Sequence, residues 1–289
     1  MWDWQATAFQ DAFGRHALPF THGLSGLEGF DRRAVVELAG RVPPSWTRPH
    51  SGRQPLVFPD KVRVADTSAA EVAHTIADGS NRLIIYYLER IEPYRTLMRH
   101  ALEEITAAVG DREGGACGTS LSFFLASPGG VIQSHFDRHH NLLLQLEGTK
   151  EITLGKYANP DEGQRVLERA RRSDHNNLSE LPTRTDTYVL GPGDGLYIPP
   201  YAFHWVHGGR EVSVAMSYGF SSPATQRATQ VYWCNANLRR LGLRPKPPGY
   251  SERRDRAKAF AISQAGQLRD AIVSRRRGRR GHAGPASAR

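Results

Sequence analysis

Cysteine is scarce in this chain, and a long apolar run is missing altogether. Only Cys117 and Cys234 occur among 289 residues, and they lie far apart. A disulfide-stapled scaffold and a cysteine-rich zinc module are therefore both excluded, and the usage fits a reducing compartment. No apolar stretch approaches the roughly 18 residues that span a bilayer. The opening Met1-Trp2-Asp3-Trp4 lacks the basic-then-apolar order of a secretory signal. The expectation is a soluble, cytoplasmic protein with no membrane partner. Internal repeats and a recognisable nucleic-acid-binding module are also missing.

What is present is the composition of an ordinary globular protein: 39% hydrophobic, 9% aromatic and 23% charged residues, which excludes wholesale disorder. The formal net charge of +9 is uneven. Arg275, Arg276, Arg277, Arg279 and Arg280 crowd into the end of the chain, where Gly281, Gly284 and Pro285 follow without apolar periodicity. Residues 275–289 are expected to form a basic, frayed tail, with acidic surfaces or nucleic acid as weakly supported partners.

The chain divides by texture. Residues 1–112 read as mainly helical. Asp31 caps one helix that Pro43 and Pro44 stop, and a second runs from Pro93 to Gly110. One early strand, Arg82–Leu88, packs on the core. Residues 113–222 switch to short strands: 119–126, 131–136, 141–146, 150–154, 187–190, 196–198 and 211–220. Gly, Pro and Asp turns separate them, and a helical insertion lies near 161–172. Many short strands at regular spacing suggest a sandwich or barrel, of which the double-stranded jelly roll is one form. Residues 223–274 return to helix in two segments, which pack on the barrel or on a second copy in a homodimer.

The chemistry concentrates in Ser134-His-Phe-Asp-Arg-His-His-Asn-Leu-Leu-Leu-Gln-Leu-Glu-Gly-Thr-Lys150. His135 and Asp137, two apart on a strand, point to one face. His204, delivered after Gly193-Asp-Gly-Leu-Tyr-Ile-Pro-Pro200, is the candidate third ligand; His207 is the poorer choice. Two imidazoles and a carboxylate leave open positions on an octahedral metal, as Fe(II) oxygenases require. Asn141 stands where four-ligand cupins carry a glutamate, which favours a three-ligand site. A hairpin across Glu147-Gly148 would turn Lys150 inward, where an ammonium needs an anion. Strand 211–220 alternates bulky with small residues and leaves room for a ligand beside Ser217; strand 119–126 places Ser120 and Ser122 on one face. For His139 and His140, surface roles are favoured.

The frame of His135, Asp137, Asn141, Gln145, Gly148 and Lys150 resembles the JmjC/cupin-type Fe(II)- and 2-oxoglutarate-dependent oxygenases, and among them the asparaginyl hydroxylases that act on hypoxia-inducible factor. The likeness covers about 118–220. It implies a mostly β, jelly-roll core with helical flanks and iron held by His135, Asp137 and His204. It further implies O2 and 2-oxoglutarate as co-substrates, with the distal carboxylate on Lys150 and Asn141 beside the iron-bound end. Ser217 falls where those hydroxylases carry an asparagine, and Ile132 where they carry a threonine. Tyr87, in preference to Tyr86, is matched to the phenol that helps hold the distal carboxylate. The implied reaction hydroxylates a C–H bond of a peptide, protein or small amino-acid-like substrate, with release of succinate and CO2. The rival from another class is a non-enzymatic metal-binding cupin that senses a ligand or associates with nucleic acid.

Overall fold

The computed structural model describes residues 2–50, 55–57, 67–170, 176 and 178–280, with side chains as far as 266. Before the core come β1 (Trp2–Asp3), α1 (Ala6–Ala12), β2 (Leu18–His22), α2 (Arg32–Ala39), β3 (Thr47–His50), α3 (Ala69–His74), β4 (Arg82–Ile85) and α4 (Tyr94–Val109). The core holds β5 (Cys117–Ala126), β6 (Val131–Phe136), β7 (His140–Glu147) and β8 (Lys150–Lys156). It continues with α5 (Pro160–Arg169), β9 (Arg184–Leu190), β10 (Asp194–Ile198), β11 (Phe203–Gly208) and β12 (Ser213–Ser221). Helices α6 (Pro223–Arg240) and α7 (Glu252–Arg280) close the chain.

The strands form two antiparallel sheets facing each other. The larger has the order β1-β2-β10-β7-β12-β5-β4-β3 and the smaller β6-β11-β8-β9. This is a mostly β jelly roll of the JmjC/cupin type, as the strand pattern predicts. The N-terminal region is less helical than expected: it adds four strands to the two edges of the larger sheet. Asp31 caps α2 as read from the sequence, accepting the Ala34 amide at 2.8 Å. The expected basic tail enters α7 as far as Arg280, arginine being a good helix former. Residues 281–289 lie outside the described residues.

Alternation in β12 sorts its two faces. Met216, Tyr218 and Phe220 join Phe9, Val35, Ile105 and Phe123 in a core between the larger sheet and the N-terminal helices. Each such side chain contributes roughly 1.5–3 kcal/mol. On the other face Ala215 packs with Leu143, Ile152 and Val206 between the sheets, where small side chains leave room.

The expected hairpin of β7 and β8 does not form. β7 pairs with β10 and β12, whereas β8 pairs with β11 and β9, so the chain crosses between sheets at Gly148. The crossing needs glycine. Gly148 has φ +65°, and a Cβ there would lie 2.3 Å from the Val212 carbonyl oxygen. Gly148→Ala is expected to cost about 2 kcal/mol or more, read as a lowered urea midpoint.

Candidate metal centre

Strands β6 and β11 are registered so that His135 lies opposite His204. Both rings therefore point between the sheets, with centroids 4.1 Å apart. Asp137 follows β6 directly. One ligand atom from each of His135, Asp137 and His204 lies within 4.8 Å of the others. His135 Nδ1 lies 2.7 Å from the Gln133 carbonyl and His204 Nδ1 lies 2.9 Å from that of Ala202. A carbonyl can only accept, so each Nδ1 carries its proton and Nε2 is the nitrogen left to face a metal. Burial, then the neighbouring His135, pushes His204 down to about 4. Burial works against ionisation of Asp137, but His139, His135, His204 and the Asn141 amide outweigh it and hold the carboxyl below its usual range. Two imidazoles and one carboxylate converging on one point suit a divalent cation. His207 pairs with Val131 and Glu151 on the opposite face of β11 from His204, and is not part of the cluster.

Asn141 and Ser217 sit behind the carboxylate. Ser217 Oγ donates to Asn141 Oδ1 at 2.8 Å, and Asn141 Nδ2 donates to Asp137 Oδ2 at 3.3 Å. The chain orients Asp137 and occupies groups expected to meet the co-substrate directly. Asn141→Ala is expected to weaken metal binding by about 10–100-fold, measured by Mn(II) titration. Ser122 is buried and faces Ser217 across β5 and β12.

Lys150 points inward, as expected, but through the β8 register rather than a hairpin. It is buried, no ion pair or hydrogen bond holds it among the described residues, and burial alone pushes it down to about 7. Tyr87 does not face the interior. It is exposed, and Arg90 lies over its ring. Its left-handed backbone, φ 64°, turns it outward at the end of β4, while the neighbouring Tyr86 feels the charges of Arg48, Arg82 and Asp137. A separate cavity of about 410 Å³, lined by Leu154, Tyr157, Tyr188 and Phe203, contains none of the three ligands.

The surface reading of His139 and His140 fails. A Cβ on Gly219 would come within 2.8 Å of His139 Cδ2, so that ring lies against β12 beside Asp137. His140 is fully buried, and its ring stacks against both Phe13 and Phe220. Tyr197 Oη accepts the Gly14 amide and donates to His140 Nδ1, whose Nε2 then donates to Glu113 at 3.0 Å. Ser222 also donates to Glu113. His140→Ala removes a ring, leaves the Tyr197 hydroxyl without its acceptor and takes one of two donors from Glu113, and an expected loss of about 3–5 kcal/mol is read by denaturant unfolding.

A cluster of two histidines and an aspartate thus lies inside a jelly roll of the JmjC/cupin type. Residues 102–228 match the model of the JmjC domain. Over 117 residues the chain is 27% identical to the lysine-specific demethylase JMJ31 of Arabidopsis thaliana; the match takes in 36% of this chain and about a fifth (21%) of that protein. The ycfD structure of Escherichia coli superposes with a TM-score of 0.50 at 19% identity, covering 92% of this chain and 68% of that one. The same TM-score and identity hold for the E. coli ribosomal oxygenase YcfD in complex with cobalt and 2-oxoglutarate, over 91% and 66% of the two chains.

Proposed function

We propose that this chain is an Fe(II)- and 2-oxoglutarate-dependent oxygenase that hydroxylates a C–H bond of a residue in a peptide or protein, releasing succinate and CO2. The observation that carries the reading is one barrel interior holding both a His135–Asp137–His204 cluster and a buried, anion-less Lys150. Bound iron supplies the redox centre that couples O2 and the 2-oxo acid to oxidation of the substrate. His135, Asp137 and His204 hold it on one side and leave the other side open. Asn141 and Ser217 fix the carboxylate. Lys150 pairs with the distal carboxylate of 2-oxoglutarate and so sets the co-substrate's direction. The sheets bury His204, Asn141 and Lys150, while His135, Asp137 and Ser217 stay partly open to the interior's mouth.

A protein or peptide substrate is supported by the names of the similar proteins, a lysine-specific demethylase and a ribosomal oxygenase. The motif likeness to asparaginyl hydroxylases bears on the co-substrate frame and leaves the substrate open. Leu241, Leu243, Tyr250 and Phe260 are exposed on and between α6 and α7, an apolar surface suited to a second copy of the chain. Among the described residues no helix is long and apolar enough to cross a membrane. Purified protein given Fe(II), ascorbate and 2-oxoglutarate is expected to form succinate slowly without added substrate, and His135→Ala is expected to form none. No succinate from the wild type, together with no 2-oxoglutarate binding to the Mn(II)-loaded protein, overturns the reading in favour of a ligand-sensing cupin.

A further inference from the structure

The inner face of the larger sheet carries a second cationic position, away from Lys150. Arg82 pairs with His50 across β3 and β4, and Arg48 pairs with Ile84. Leu83 and Ile85 belong to the core beneath the N-terminal helices, so Arg82, His50 and Arg48 point the other way, between the sheets. Arg82 is buried and reaches across to the smaller sheet. Its Nη1 donates to the Val131 carbonyl at 3.2 Å and to Gln133 Oε1 at 3.4 Å. Both acceptors are neutral. Nε is buried with no partner, and Nη2 makes no hydrogen bond among the described residues. The Nε–Nη2 edge is the one that grips an oxyanion with two parallel hydrogen bonds. His50, also buried, has no partner on either ring nitrogen among the described residues. No carboxylate among the described residues faces the group: His50 feels Arg82 and Arg48, and Arg82 feels Tyr86 and Arg48.

A guanidinium with no counter-charge, beside an imidazole with no hydrogen bond among the described residues, is costly to bury unless a ligand completes it. We infer that Arg82 and His50 form an oxyanion subsite for the substrate, one that receives a carboxylate such as an aspartate or glutamate side chain of the chain being oxidised. Two observations place it with the substrate rather than the co-substrate. Lys150 stands on β8, and β11 lies between it and the β6 strand that Arg82 reaches, so the two cationic positions are separate. Gln133, whose side chain Arg82 meets, also accepts from His135 Nδ1 through its carbonyl, which puts the subsite beside the metal ligands. One buried guanidinium with a neutral imidazole matches the single charge of a carboxylate better than the double charge of a phosphate. The assignment of a substrate role rests on the oxygenase reading; the anion-binding site does not.

The experiment has two arms. In the first, acetate and inorganic phosphate are titrated at constant ionic strength against the full chain loaded with Mn(II) and 2-oxoglutarate, with thermal unfolding as the readout. Saturable stabilisation by acetate, stronger than by phosphate, is expected in the wild type. It is expected to persist in Lys150→Met, to weaken in Arg82→Lys, which keeps the charge without the bidentate edge, and to vanish in Arg82→Gln. No saturable effect, an effect that survives Arg82→Gln or disappears in Lys150→Met, or a preference for phosphate each overturns the carboxylate subsite. In the second arm, succinate formation is compared for pools of capped peptides containing Asp or Glu and matched pools containing Asn or Gln. The wild type is expected to be stimulated more by the acidic pools, and Arg82→Gln to lose at least about tenfold of that preference with an unchanged KM for 2-oxoglutarate. Equal stimulation by both pools, or a raised KM for 2-oxoglutarate in Arg82→Gln, overturns the substrate assignment. Absence of all succinate overturns the oxygenase reading instead, leaving the first arm to judge the anion site by itself.

Discussion

Asp137→Ala is expected to abolish succinate formation and to reduce Fe(II) or Mn(II) binding beyond the roughly 10–100-fold loss typical of changes behind the ligands. Asp137 supplies the only negative charge in the cluster, and the two imidazoles cannot replace it. His204 Nε2 lies 3.9 Å from Asp137 Oδ2, room for an ion drawn in between rather than a direct hydrogen bond. The metal-free variant is expected to fold, because the carboxylate is held by one amide hydrogen bond and the β6–β11 register does not depend on it. Thermal unfolding separates the two effects. Wild-type protein is expected to gain stability on adding Mn(II), and Asp137→Ala to gain almost none at the same concentration. A variant that still binds Mn(II) with wild-type affinity removes the three-ligand centre as the site of chemistry.

Much of the jelly roll and the metal cluster was legible because strand chemistry is local. His135 and Asp137 are two apart, so alternation alone puts them on one face, and the Gly-Pro-Asp turns mark most of the core strands. The strand that carries the third ligand was harder. Phe203, His204, Trp205 and Val206 are all buried, so β11 lacks the alternation that announces a strand, and Pro199 and Pro200 precede it. Prolines also hid β2 and β3, where Pro19 and Pro49 argue against a sheet that in fact tolerates them near its edges. The β7–β8 hairpin misled for another reason. A short turn between two strands says that they are consecutive, not that they pair, and only the clash a side chain at Gly148 would make with Val212 reveals the crossing. His140 and Arg82 were opaque because their roles depend on partners distant in sequence: Glu113 and Tyr197 for one, Val131 and Gln133 for the other.

Lys150→Met is expected to weaken 2-oxoglutarate binding by about 100-fold or more and, without co-substrate, to make the protein more stable at neutral pH. Both follow from a buried ammonium with no counter-ion among the described residues. The folded state pushes Lys150 down to about 7, against 10.5 when exposed. Between those values the unfolded chain binds more protons than the folded one, so the stability of the co-substrate-free protein rises with pH across about 7 to 10.5 and is flat below. A methionine of similar shape removes that slope and relieves a burial cost of the order of several kcal/mol below pH 7. A carboxylate beside Lys150 restores the charge, so above pH 7 the binding of 2-oxoglutarate takes up a proton. Its affinity for the wild type is therefore expected to fall by up to about tenfold per pH unit from pH 7 upward, while Lys150→Met binds weakly with no such dependence. Calorimetric titration of the Mn(II)-loaded proteins in buffers of different ionisation heat measures both the affinity and the proton uptake. Equal affinities for wild type and variant, or binding without proton uptake at pH 8, would move the anchor of the distal carboxylate away from Lys150 and leave its burial as a stability cost with no ligand to offset it.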